Sequence, residues 1–170
     1  DYIYLDTDER RRFAQVSHEY LIEQVQSDRN KTSSNSHELN FNHPVKALYW
    51  VQETDFTPAG GAGIGLGAPS GGKTNLKLNG HDRMAQRDER YFTEVQHYQH
   101  HSGSGSGLSV IAVYSFALEP EEHQPSGTCN FSRIDNAQLK LTNEVSISVY
   151  AVNYNVLRIM SGMGGLAYSN

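Results

Sequence analysis

Residues 108–118, LSVIAVYSFAL, place Leu108, Val110, Ala112, Tyr114, Phe116 and Leu118 on one face at a period of two. Only an extended backbone sends alternate side chains to opposite sides, so this segment must be a strand with that face covered. PVKALYWVQE repeats the signal: Val45, Ala47, Tyr49 and Val51 share one face, Leu48 and Trp50 the other. Trp50 and Phe116, in the two strongest strands, are expected to be buried. AQLKLT aligns Ala137, Leu139 and Leu141. In VSISVYAVNYNVLRIM the apolar phase moves from Val145, Ile147 and Val149 to Val152, Tyr154 and Val156, which predicts a bulge or bend near Tyr150. HELNF, NLKLNG and the opening DYIYL read as shorter strands, with Asn79-Gly80 as a turn.

Helical signals are few. In DTDERRRFAQ, Thr7 or Asp8 can cap a helix whose acidic residues precede its basic ones. HEYLIEQVQ (His18–Gln26) is ambiguous. Phe13, Val16, Tyr20 and Gln24 could continue that helix, which local pattern favours. With a period of two, Tyr20 and Ile22 oppose Leu21 and Val25, as in a strand. SDRNKTSSNS (Ser27–Ser36) reads as a polar loop. DERYFTEVQHYQH reads as a helix capped by Asp88, with Tyr91, Val95 and Tyr98 on one face. About eight strands, two short helices and long loops predict an all-β sandwich in one domain, not alternating β/α units. Ten tyrosines and six phenylalanines fit β structure, and fifteen glycines suit many turns.

The net charge of −5 gives no electrostatic reason to expect nucleic acid or an anionic membrane as partner. No 18-residue apolar run suggests a transmembrane helix. The chain opens without an initiator methionine or a recognisable signal peptide, which reads as an excised domain or a processed piece. The single cysteine, Cys129, cannot form an internal disulfide and suits a reducing compartment.

GAPSGGKT (Gly67–Thr74) matches the phosphate-binding pattern G-x-x-x-x-G-K-[ST]. That pattern works when a buried strand enters the loop and a helix leaves it, so that free N–H groups point at phosphate. Here a Gly/Ala/Pro stretch precedes it and a strand-like alternation of Leu76 and Leu78 follows, so the sequence predicts a surface loop and no nucleotide. His97, His100 and His101 form the densest metal-like cluster, with His97 and His101 at i, i+4. A structural zinc needs four ligands, and none completes the set. No H-x-H pair of the kind a jelly-roll metal enzyme uses occurs. Cys129 reads as a small buried thiol. Arg10–Arg12 follow DTDE and read as a salt-bridged helix face. Asn30 and Asn130 fit the N-glycosylation pattern, a frequent chance match. SGSGSG (Ser102–Gly107) reads as a flexible tract. No catalytic, cofactor-binding or metal-binding residue is assigned.

Five longer stretches are more specific: LDTDERRRFAQVSHEYLIEQVQ, LNFNHPVKALYW, LNGHDRMAQRDERYF, YSFALEPEEHQPSGTCNFSRIDNAQLKLT and NYNVLRIMSGMGGLAYSN. They resemble, in order, the major capsid protein of nucleocytoplasmic large DNA viruses, of the iridovirus and phycodnavirus type. The resemblance implies an eight-stranded jelly-roll β-sandwich over residues 1–170, similar to the C-terminal one of the family's two tandem jelly rolls. It implies a structural, non-enzymatic subunit of an icosahedral capsid, with three copies per capsomer. Partners would be other capsid subunits and, further out, minor capsid proteins, with neither direct nucleic-acid contact nor membrane insertion. The location would be the virion, assembled in host cytoplasm. It also implies that HEYLIEQVQ is a strand after a short helix at TDERRRFA, that GAPSGGKT lies in a variable surface loop, and that the loops here are short. The alternatives are a glycan- or ligand-binding jelly-roll module and a small P-loop nucleotidase.

Overall fold

A computed structural model of the chain describes residues 3–54, 65–67, 72–102 and 111–169. In chain order the elements are α1 (Thr7–Gln15), β1 (His18–Glu38), β2 (Pro44–Thr54), β3 (Gly65–Gly67), β4 (Lys73–Leu78), β5 (His81–Asp82) and β6 (Arg87–Asp88). A π-helical turn (Tyr91–Val95) leads into α2 (Gln96–His100), followed by β7 (Ile111–Ser115), β8 (Cys129–Asn130), a 3₁₀ turn (Phe131–Arg133), β9 (Ala137–Met160) and β10 (Met163–Leu166). The architecture is all-β. The chain divides into two compact units, Val25–Asn153 and Asp1–Gln24 with Tyr154–Asn170.

In the larger unit β2 is the hub. It pairs antiparallel with β7 through Ala47–Val51 and with β9 through Val45–Gln52. β9 changes partner along its length: Ala137–Leu141 pair with β4, and Ile147–Asn153 with β2. The residues between, Thr142, Asn143 and Glu144, are exposed. Both faces of β2 are covered, which is why Val45, Ala47, Leu48, Trp50 and Val51 are all buried. Trp50 packs on Phe92 with ring centroids 5.2 Å apart. A second aromatic chain runs Tyr114–Phe116–Phe131–Phe41, each step edge-on at 5.1, 6.0 and 6.1 Å. Phe116 itself is half-buried, short of the full burial expected, while Trp50 is buried as expected.

The β4–β5 hairpin turns on Asn79 (φ 50°) and Gly80 (φ 80°), so both central residues take the left-handed conformation of a type I′ turn, as the Asn-Gly pair predicts. Asn79 Oδ1 also accepts the backbone N–H groups of Asp135 (2.9 Å) and Asn136 (3.2 Å).

Several expectations need correction. Residues 27–36 are not a loop but the middle of β1; Ile22, Gln24, Gln26 and Asp28 alternate half-buried with exposed neighbours. The covered side is mostly polar, so no apolar alternation reveals it. HELNF is not a separate strand: His37 and Glu38 end β1, while Leu39 and Phe41 are buried outside any strand. The bulge lies on β2 at Lys46, where the register slips between Val45 and Ala47, not on β9 at Tyr150. On β9 the buried phase runs unbroken through Val145, Ile147, Val149, Ala151 and Asn153. Buried asparagines hide that phase in the sequence, and Asn153 Nδ2 is satisfied by the Asn42 carbonyl at 3.0 Å. Finally, the helix at 89–100 buries Phe92, Thr93 and Gln96 and exposes Val95 and Tyr98. Its π turn adds a residue per turn and rotates Val95 and Tyr98 of the predicted face outward, while Tyr91 stays half-buried against the core.

In the smaller unit the helix cap is Asp6, whose carboxylate accepts the Thr7 N–H at 2.8 Å, rather than Thr7 or Asp8. Residues 3–5 form no strand and are exposed. The segment after α1 is a strand, as the resemblance implied. β9 and β10 form a hairpin closed by Ser161 and Gly162, both at positive φ. Asn155 Nδ2 donates to Gln24 Oε1 (3.0 Å) and to the Tyr168 carbonyl (2.9 Å), fastening the segment after β10.

Candidate functional site

The phosphate-like motif is dismantled by its surroundings. Residues 68–71 fall outside the described residues, but Lys73 and Thr74 open a strand, not a helix. Thr142 Oγ1 accepts the Lys73 N–H and donates to the Lys73 carbonyl, both at 3.2 Å, so this backbone is already spent. Thr74 is fully buried, opposite Leu141, which corrects the surface-loop expectation at this residue. Its hydroxyl has no hydrogen-bond partner among the described residues. Burying such a group without a partner is costly. Thr74→Val is therefore expected to hold or raise stability in urea unfolding, whereas exposed Lys73→Ala should change it by less than about 0.5 kcal/mol. The parent protein should show no magnesium-dependent ATP heat in calorimetry. Micromolar affinity in the parent that is lost in Lys73→Ala would contradict this.

The three histidines face different partners. His97 Nε2 lies 3.0 Å from the Ile111 carbonyl, His100 Nδ1 2.8 Å from the Leu118 carbonyl, and His101 Nδ1 3.0 Å from Glu121 Oε1. The rings of His97 and His101 are 5.2 Å apart, the i, i+4 neighbourhood expected. Each ring donates one nitrogen to a different acceptor, so the set ties the end of α2 to β7 and the segment after it. Among the described residues no three His, Cys, Asp or Glu side chains are grouped to hold a metal. Glu121, which sequence reading passed over, completes the arrangement: its other oxygen accepts the Ser102 hydroxyl (2.6 Å) and N–H (3.0 Å). Nothing in the local pattern announced it, because the pairing spans about twenty residues.

One carboxyl and one imidazole contribute to the acid limb of stability. Hydrogen bonds from Ser102, then from His101, hold the Glu121 carboxyl below its ordinary value. His37, buried on β1 with Nε2 2.9 Å from the Ser34 carbonyl, is pushed down by desolvation against those backbone bonds. For both groups the unfolded chain binds the proton more readily. Stability from His37 is therefore full above pH 6.5 and falls below it; that from Glu121 is full above pH 4.5 and falls further down. Urea midpoints measured from pH 8 to 4 should drop first in the His37 window, and His37→Asn should flatten that first drop.

The remaining candidates behave as plain structural residues. Burial pushes the Cys129 thiol up, with Arg83 opposing, so it is held as the neutral thiol. Arg11 sits 4.0 Å from Asp8 on exposed α1, a salt-bridged helix face. Asn130 Oδ1 caps the 3₁₀ turn by accepting the Ser132 N–H at 3.1 Å. The side chain of Asn30 and residues 103–107 lie outside the described residues.

The described residues also carry exposed apolar side chains. In the smaller unit only Tyr154 and Asn155 are buried among the described residues. The same unit exposes Ile3, Tyr4, Val16, Met160, Met163 and Tyr168, with Met163 at 74%.

A family model for the large eukaryotic DNA virus major capsid protein matches residues 9–165. The major capsid protein of Pyramimonas orientalis virus is 54% identical, aligned over 100% of this chain and 48% of its own length. That of Paramecium bursaria Chlorella virus 1 is 42% identical, over 100% of this chain and 53% of its own. The chain thus spans about half the length of the curated relatives it matches. The second alignment runs over 233 positions against 170 residues here, so that relative carries inserted segments within the shared region. Among solved structures, PBCV-1 VP54, from its crystal structure fitted into a reconstruction of the virophage Sputnik, superposes with a TM-score of 0.81. It is 38% identical, over 99% of this chain and 56% of that one.

Proposed function

We propose that this chain, which belongs to the family of large eukaryotic DNA virus major capsid proteins, is a structural subunit of an icosahedral viral capsid that packs jelly rolls side by side in capsomers. The fold is the all-β jelly roll of its structural neighbours. The observation that carries the reading is the superposition on VP54 across nearly the whole chain at 38% identity, well above the level at which only a fold is shared. In this reading residues 1–170 act as one jelly roll, the C-terminal one of a pair, although the chain divides into two compact units. Its partners are other capsid subunits in trimer-like capsomers and, beyond them, minor capsid proteins. It works in the virion, assembled in host cytoplasm, and carries no catalysis. The exposed apolar residues of the smaller unit suit such packing.

The test is complementation. Co-expression of this chain with the part of the Pyramimonas orientalis virus protein that it does not cover should yield trimeric particles of pseudo-hexagonal outline in negative-stain images. Two chains that elute separately and never form such particles would overturn the reading.

A further inference from the structure

We infer that the free edge of β10 is a homotypic docking strand that pairs antiparallel with β10 of a second copy of this chain. The register of the hairpin decides which backbone groups are available. Met163 closes the two-residue turn opposite Met160, and Ala167 N donates to the Val156 carbonyl at 2.8 Å. In an antiparallel ladder hydrogen-bonded pairs alternate with non-bonded ones, so Met163, Gly165 and Ala167 bond inward to β9. Gly164 and Leu166 therefore turn their N–H and C=O groups outward. Among the described residues β10 pairs with β9 alone, and all four of its residues are exposed.

Unpaired edges are usually blunted by charge, proline or a bulge. This one carries none of them. From Ile159 to Ser169 the sequence has no Asp, Glu, Lys, Arg or His, and no proline. The occupant follows from that neutrality. The chain as a whole carries −5, so two copies repel each other at long range, and this uncharged edge adds nothing to that repulsion. The register is also self-complementary. Pairing about a two-fold axis sets Gly164 against the second copy's Leu166, and Leu166 against its Gly164, as hydrogen-bonded pairs. Gly165 then meets its own copy on the axis as a non-bonded pair, the position where Cα atoms come nearest. A glycine there lets the two backbones close with no side chain between them. Exposed Met163 and Leu166 supply apolar contact on the two faces. The inference rests on this edge and not on the capsid reading; either can fail alone.

Gly165 also provides the test, because a Cβ there meets nothing within 4 Å in the single chain. Sedimentation equilibrium of the intact chain up to about 1 mM should show a reversible monomer–dimer equilibrium, weak because a single strand edge buries little area. Gly165→Lys places two ammonium groups together on the axis and should weaken dimerisation roughly tenfold, with an unchanged circular dichroism spectrum. In a Cys129→Ala background, Gly165→Cys should cross-link to a covalent dimer when diamide is added as oxidant, and Gly164→Cys should not. A monomer mass at every concentration, self-association indifferent to Gly165→Lys, or equal cross-linking at both positions would overturn the inference.

Discussion

Trp50→Ala should destabilise the protein by about 3–5 kcal/mol, the range for losing a fully buried large aromatic side chain. Trp50 is 1% exposed, sits on the strand that pairs with both β7 and β9, and packs its ring 5.2 Å from that of Phe92, which is itself wholly buried. The cavity would open between β2 and the π turn, where ladder bonds hold the backbone and limit collapse. Trp50→Phe should cost much less. It keeps most of the apolar volume and removes an indole N–H that has no partner among the described residues. Urea unfolding of the three proteins settles the matter. A loss below about 1 kcal/mol for the alanine variant, the range of tolerated surface changes, would mean the core is not where the structure places it.

Gly127→Ala should cost about 2–4 kcal/mol although it adds a single methyl group. Gly127 has φ +149°, a conformation L-residues avoid, and an added Cβ would lie 2.7 Å from the Phe116 carbonyl oxygen. That oxygen cannot simply retreat. The N–H of Phe116 donates to the Lys46 carbonyl at 2.9 Å, and Ala117 donates to the same oxygen at 3.2 Å, so the segment is fastened at the β2 bulge. Ser126→Ala next door is the control. It removes one hydroxyl, which accepts the Glu119 N–H at 2.9 Å, and should cost only about 1 kcal/mol. Thermal melts in which the two variants fall equally would show that the close approach at Gly127 is not strained.

Legibility in the sequence followed the physics of each segment. β2, β4 and the middle of β7 were readable because alternation of apolar side chains is visible in a string of letters, although β7 ends at Ser115 and leaves Leu118 exposed, and residues 108–110 lie outside the described residues. The Asn79-Gly80 turn was readable because few residue pairs accept two successive positive φ values. β1 beyond residue 26 was not, because polar residues such as Gln26 and Asp28 line its half-covered side. The phase of β9 was misread because Asn153 and Asn155 occupy buried positions, where each Nδ2 donates to a partner over a hundred residues away. The strand that follows Gly72 was legible from the alternation of Leu76 and Leu78; the burial of Thr74 was not, since it depends on Leu141 arriving opposite.

By itself, then, the sequence determined the all-β class, the main strands and the family, because these depend on local periodicity and on long runs of characteristic residues. Tertiary structure alone decided which polar groups are buried and what they bond. It fixed Glu121 as the carboxylate joining Ser102 and His101, His37 as a buried imidazole, and the Lys46 bulge as the anchor for the strand end at Phe116. Among the described residues it also decided which backbone edge is left unpaired. Hydrogen bonds and desolvation act between groups brought together from distant parts of the chain, and no local pattern records which of them will meet.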